Sequence, residues 1–320
     1  MMSILSLEIV MMSKYDIIGD IHGHADELIL LLTKLGYKLN ANGVYEHDSR
    51  KAIFVGDLID RGPKIRETLQ IVKSMVDAGT ALCTRGNHED NAINFWKKNE
   101  KGEYDRKHNI KNIIQHFATI KAFQNRDDEW KNYLKWFETL PYFINLPNLR
   151  VVHACWPSEL TDLLRSTPDE SIPYLHPDLK SNILRGEEMN LPEHLNYADK
   201  DGNVRTASRT QWWLDPRSLT YRQYFEAYVH GLPGLDVKIP ESVLSKIGIG
   251  YPVDGVPVFF GHYWLRGEPR VQTSNVCCLD YSVAKGGSLV AYRFDGELIL
   301  DNKKFVTVEG LNSKVEVTKT

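Results

Sequence analysis

Three stretches decide the fold: YDIIGDIHG (Tyr15–Gly23), KAIFVGDLIDRG (Lys51–Gly62) and TALCTRGNHE (Thr80–Glu89). In each, a short apolar run leads to a glycine followed by Asp or Asn with His, Asp or Glu close behind. An apolar run of that length bounded by glycine reads as a buried strand. Between the first two, Leu28, Leu31, Leu32 and Leu35 recur at helical spacing, and Gly36 is a fitting helix stop. Between the second and third, Ile65, Leu69, Val72 and Val76 form another apolar helix face, with Pro63 expected in its first turn and Gly79 at its end. Repeated β-α-β units imply a layered α/β core whose strands are at least partly parallel. Ligands bind such sheets outside the carboxyl ends of the strands, so the three polar clusters should converge in one crevice.

The rest of the chain is read outward from that core. Residues from about 90 to 145 look mostly helical, with Phe117, Trp130, Tyr133, Trp136 and Phe137 as packing groups. LRVVHA (Leu149–Ala154) returns to strand. Residues 157–250 are rich in Pro, Arg, Trp and Tyr without a clear period, and read as a cap or insertion within a single domain spanning residues 1–320. Strands are expected again at VPVFFGH (Val256–His262), VCCLD (Val276–Asp280), SLVAYRF (Ser288–Phe294) and ELILD (Glu297–Asp301), with Asp295-Gly296 as a hairpin turn.

Composition is that of an ordinary globular protein, 42% hydrophobic and 25% charged. A net charge of -3 gives no broad electrostatic reason to expect nucleic acid. Cys83, Cys155, Cys277 and Cys278 form no CxxC pair and sit beside apolar residues, so they read as reduced core thiols. The apolar N-terminus lacks a basic region, is interrupted by Glu8, and falls short of the roughly 20 apolar residues a span requires. A cytoplasmic protein is therefore expected, with Met1, Met11 and Met12 as alternative starts.

The polar residues suit a hard or borderline divalent metal, since carboxylate, amide oxygen and imidazole together favour Mn, Fe, Zn, Ni or Mg. Asp20 and His22, one residue apart, point the same way in extended chain. His153 and His262 each end an apolar strand.

Taken together, GDIHG, GDLIDRG and GNHE, followed by VVHA and FFGH, resemble the signatures of the calcineurin-like metallophosphoesterases. The likeness is close over residues 15–89 and looser over 149–154 and 257–264. It implies a central β-sandwich flanked by helices, carrying two divalent metal ions, manganese first among them. Carried over residue by residue, Asp20, His22 and Asp57 hold the first ion, Asp57 bridges, and Asn87, His153 and His262 complete the second site. His88 becomes the general acid, Asp60 its orienting partner, and Arg61 the phosphate clamp. Many members have a second histidine at the last motif, where this chain has Trp264. That departure points to the branch of serine/threonine phosphoprotein phosphatases and symmetrical diadenosine tetraphosphate hydrolases.

The resemblance thus implies hydrolysis of a phosphate ester by a water or hydroxide shared between two metals. A serine/threonine-type protein phosphatase or small phosphomonoesterase leads. A symmetrical bis(5′-nucleosyl)-tetraphosphatase follows, then a polynucleotide end phosphatase, and from a different class an inactive regulatory relative. The expected partner is a phosphorylated substrate, with no membrane. Arg185 is preferred over Arg205 and Arg209 as a second phosphate-binding arginine. Trp212-Trp213 reads as packing rather than a base-stacking platform, and His24 as a structural residue beside the motif. His47, His108, His116, His176, His194 and His230 are taken as surface or core residues.

Overall fold

A computed structural model describes residues 14–166, 175–192, 195–198, 204–226, 231–245 and 247–311. Met1, Met11, Met12, His194 and His230 lie outside the described residues. The chain divides into two compact units, residues 1–153 with 256–320, and residues 154–255.

The first unit is built on two sheets. In the larger, β1 (Lys14–Ile18), β2 (Arg50–Phe54) and β3 (Ala81–Cys83) run parallel. The smaller contains β4 (Phe143–Leu146), β5 (Leu149–Val152), β6 (Val258–Phe260) and β7 (Val276–Cys278), in the order β7-β6-β5-β4. The larger sheet is completed by β8 (Asp280–Tyr281), β9 (Ser288–Phe294) and β10 (Phe305–Glu309), where β9 pairs antiparallel with β1, β8 and β10.

Strand side chains alternate between faces, and both faces of β1 and β2 are covered. Ile17 and Ile53 pack with Val151, Phe259 and Cys277 of the smaller sheet. Ile18 and Phe54 pack instead against α1 (Ala25–Leu35) and α2 (Ile65–Asp77), through Leu28, Leu31, Leu69 and Val72. The result is a β-sandwich with helices on the outer face of its larger sheet, as the sequence implied. Further helices are α3 (Asn87–Trp96), α4 (Ile110–Ala122) and α5 (Asp127–Thr139).

Some expectations failed locally. ELILD is not a strand, and Leu298 and Ile299 are exposed. The partner of β9 is Phe305–Glu309 instead. Side-chain pins override the Asp-Gly turn signal. Glu297 accepts from the Tyr292 hydroxyl at 2.8 Å, and that hydroxyl accepts from the Asp301 amide at 2.8 Å, which holds the intervening chain in a longer loop. Phe117 is 58% exposed rather than packed, whereas Trp130, Trp136 and Phe137 are buried. Pro63 precedes α2, which starts at Ile65. All four cysteines are buried and free. Among the described residues no helix is long and apolar enough to cross a membrane.

The second unit, residues 154–255, has a core of its own from Met189, Leu191, Tyr221, Tyr224, Phe225 and Leu235. Its elements are short, including helices Ser158–Ser166 and Pro177–Arg185 and the paired strands Glu188–Asn190 and Ala207–Arg209. Trp212 and Trp213 are buried in an edge-on pair, and the Trp212 indole donates to the Ala154 carbonyl at 2.9 Å. They pack, as the plainer reading held.

One buried ion pair ties β1 to β2. Arg50 donates through Nε to Asp16 at 3.0 Å and through its other nitrogens to the Tyr15 and Phe294 carbonyls and to Asp295. Asp16 is fully buried, and burial raises its pKa against the opposing pull of Arg50 and Arg293. Removing one partner of such a pair leaves an uncompensated buried charge. Arg50→Met is expected to cost about 3 kcal/mol, read as a drop in denaturant midpoint. Lys73→Met, which breaks an exposed pair with Asp77, should cost under about 0.5 kcal/mol.

Candidate metal and phosphoester site

The loops that leave β1, β2, β5 and β6, with the first turn of α3 after β3, bring together Asp20, His22, Asp57, Asn87, His88, His153 and His262, all within the first unit. All but His262 are at most 5% exposed. The local backbone is forced into place. Six of the eight non-glycine residues with positive φ among the described residues are His22, Asp57, Asp60, Arg61, His262 and Trp264. Such conformations cost about 1–3 kcal/mol each and persist only where surroundings impose them. Close backbone approach explains two of the motif glycines. A Cβ on Gly86 would lie 2.3 Å from Asp57 Oδ1, and one on Gly261 would lie 1.9 Å from Asp20 Oδ1.

Asp57 is central. Its Oδ2 lies 3.6 Å from His22 Nε2 and 3.8 Å from His88 Nε2, whereas its Oδ1 lies 3.4 Å from His153 Nε2. One carboxylate thus presents an oxygen to each of two donor groups, His22 with His88 and His153 with His262. On the second side, His153 Nε2 is 3.0 Å from Asn87 Oδ1 and 3.3 Å from His262 Nδ1. Asp20 accepts from the His262 backbone amide at 3.1 Å.

The imidazoles are oriented as ligands would be. His22 Nδ1 donates to the Ile59 carbonyl at 2.8 Å, and His153 Nδ1 donates to the Val55 carbonyl at 2.9 Å. Each therefore turns its Nε2 towards Asp57. A backbone partner on the far nitrogen is the usual support for a metal-binding histidine. The charges fit as well. Burial and the neighbouring carboxylates Asp280 and Asp57 push Asp20 well above the usual carboxylate range. Burial would lower His153, but Asp57 and Asp20 raise it to about 10. Crowded carboxylates with a proton held on an adjacent imidazole form a site that divalent cations would suit.

His88, Asp60 and Arg61 stand beside this cluster. His88 Nδ1 donates to Asp60 Oδ2 at 2.5 Å, and Asp60 is held below the usual carboxylate range by its histidine partners despite burial. Arg61 donates to His22 Nε2 at 3.0 Å and to His88 Nε2 at 3.3 Å, with its guanidinium 5.1 Å from the Trp264 ring centroid. Lys285 lies over the same indole. Trp264 is thus a platform for two cations. His24 is buried and donates locally to backbone carbonyls near the start of α1, consistent with a structural role. Arg185 ends the helix Pro177–Arg185 in the second unit.

Three contributors were not singled out from the sequence. Glu89 accepts from the backbone amides of Asp57, Leu58 and Gly86 at 2.8–2.9 Å, which locks the Asp57 loop. Burial and Asp57 raise Glu89 to about 7. Asp280 accepts from the Trp264 and Ser282 amides at 2.9 Å and so fixes the loop after β6. It ends the stretch VCCLD and could have been found by the strand-end rule that found the others. His116, taken as a surface or core residue, is buried and bonded to Asp60.

A sequence model of the calcineurin-like phosphoesterases matches residues 13–262. The chain belongs to that family. It is an enzyme of the metallophosphoesterase fold, and its family depends on divalent metal. Among curated proteins it is similar to the asymmetrical bis(5′-nucleosyl)-tetraphosphatase PrpE of Oceanobacillus iheyensis, 33% identical over 150 residues, or 46% of this chain and 58% of that one. The PrpE of Halalkalibacterium halodurans is 50% identical over 76 residues, covering 23% of this chain and 30% of its own. At most, the chain spans little more than half the length of these curated relatives. A solved serine/threonine phosphatase from Saccharomyces cerevisiae aligns over 93% of this chain and 79% of its own at 16% identity and a TM-score of 0.46.

The raised His153 sets a pH dependence for metal binding. Its proton is held below about pH 10 and must leave before Nε2 can serve as a ligand. Mn²⁺ affinity should therefore climb from about pH 6 to about pH 9, by about tenfold per unit for each proton released. Isothermal titration in buffers of different ionisation enthalpy would count that proton. Affinity that stays flat over this range would contradict the assignment of His153.

Proposed function

We propose that this enzyme hydrolyses phosphate esters or anhydrides with two divalent metal ions, manganese the first candidate, held by Asp20, His22, Asp57, Asn87, His153 and His262. The observation that carries the reading is the double-faced Asp57 carboxylate, with His88 backed by Asp60 directly beside it. Ions bound there would supply Lewis acidity to the phosphoryl oxygens and lower the pKa of an attacking water.

The chain's own residues do the rest. Arg61 spans His22 and His88 and can present two N–H groups to a phosphate. When a phosphate draws Arg61 towards itself, His88 Nε2 is released from that hydrogen bond. His88 then takes up a proton from solvent at Nε2 and acts as the general acid, passing that proton to the leaving oxygen. Asp60 holds its ring through Nδ1. Attack is in line, and no covalent enzyme intermediate is involved.

The likeness to PrpE proteins favours a bis(5′-nucleosyl) tetraphosphate as substrate, cleaved asymmetrically rather than symmetrically. The phosphoprotein or small phosphomonoester remains the second reading, since the same acid and clamp serve any leaving oxygen. A cytoplasmic location is proposed with either.

A panel of p-nitrophenyl phosphate, phosphoserine and phosphotyrosine peptides, diadenosine tetraphosphate and a 3′-phosphorylated oligonucleotide, assayed with Mn²⁺, separates them. Diadenosine tetraphosphate is expected to rank first and to yield ATP with AMP. Two ADP would indicate symmetrical cleavage, and a phosphopeptide in first place would select the second reading. His88→Asn should lower kcat by about 10²- to 10⁴-fold with metal content intact. Loss of metal instead would make His88 a ligand, not an acid.

A further inference from the structure

Asp60 is held more firmly than an orienting carboxylate requires. Its Oδ2 faces His88, while its Oδ1 receives two bonds from α4, from His116 Nδ1 at 2.8 Å and from the Thr119 hydroxyl at 2.6 Å. The Thr119 oxygen in turn accepts from the Asp60 amide at 3.1 Å. His116 is 5% exposed and packs against Phe95 and Trp130. Its far nitrogen, Nε2, is 3.4 Å from Trp96 Nε1. An indole N–H can only donate, so Nε2 must be the acceptor. The two contacts fix the ring's orientation, with Nδ1–H aimed at Asp60.

We propose that His116 is a positioning residue for the general acid, clamping one oxygen of Asp60 so that the other stays aimed at His88. This rests on the reading of His88 as that acid. The torsion that turns a carboxylate is soft, and Asp60 sits on a left-handed backbone, φ 67°, that the surrounding contacts must maintain. Bonds on one oxygen remove that rotation. The chain Trp96, His116, Asp60, His88 then runs from α3 and α4 to the leaving-group side of the site, with each donor and acceptor determined.

The consequence is selective for leaving groups. A misaimed acid matters little when the departing oxygen is a good leaving group and much when it is a poor one. In the Mn²⁺-loaded enzyme, His116→Gln removes the donor from the Nδ1 position, whereas His116→Asn keeps an amide nitrogen close to it. The ratio of kcat for p-nitrophenyl phosphate to kcat for phenyl phosphate should rise about tenfold in H116Q, within the range a general acid contributes, and return most of the way in H116N. H88N, run alongside, shows what loss of the acid itself does to the ratio. An unchanged ratio in H116Q beside a raised one in H88N would overturn the role of His116 and leave that of His88 standing. An unchanged ratio in both would overturn the acid reading and this inference with it. Nitrogen NMR of histidine-labelled wild-type enzyme tests the same point without a variant. The His116 ring should carry a proton on Nδ1, and a ring protonated on Nε2 alone would refute the clamp.

Discussion

The buried carboxylate of Asp57 is the constraint on which the site depends. It sits just beyond a largely buried strand, on a left-handed backbone at φ 52°, with three imidazoles within 3.8 Å. Burial alone would raise its pKa, but His153, His88 and His22 overcome this and hold it well below the usual carboxylate range. Nothing in the local chain would keep a charge there unaided. Glu89, reaching back from the first turn of α3 to three backbone amides, fixes the loop that carries it. Gly56 and Gly86 let the loops after β2 and β3 come close enough for that bond.

The larger sheet accounts for the convergence. Its three parallel strands share one direction, so the polar loops after β1, β2 and β3 emerge at one edge. His153 and His262 arrive from the ends of two parallel strands of the smaller sheet, β5 and β6, whose register is fixed by Phe259 beside Val151. Two sheets packed through Ile17, Ile53, Val151 and Phe259 therefore deliver donors from both sides of the sandwich to one point. Polar groups buried so closely are costly unless charge is balanced. That cost is tolerated where function requires it, and the strained residues cluster in the same loops.

Much of this was legible in the sequence because strand ends announce themselves. An apolar run leading to Gly-Asp or Gly-Asn singled out Asp20, Asp57 and Asn87, and the strand-end position singled out His153 and His262; the structure brings all five to one cluster. What could not be read was the support around them. Glu89 and His116 act through partners 31 and 56 residues away in the chain, and no local pattern encodes such a pairing. The hydrophobic period of α4 did not show that Phe117 would be left exposed, since periodicity marks a face without saying what covers it. At ELILD, β-propensity and an Asp-Gly turn lost to the tertiary bonds of Tyr292 and Glu297, the ordinary way context overrides a local signal.

In the proposed centre one carboxylate, Asp57, joins two cation sites. Metal analysis with low-temperature electron paramagnetic resonance of the Mn²⁺-loaded protein addresses it most directly. Two manganese ions per chain, with the signal of an exchange-coupled pair that Asp57→Asn converts to uncoupled or lost metal, are expected. A single isolated ion in the unaltered protein, or a coupled pair that survives Asp57→Asn intact, would contradict the bridging role of Asp57.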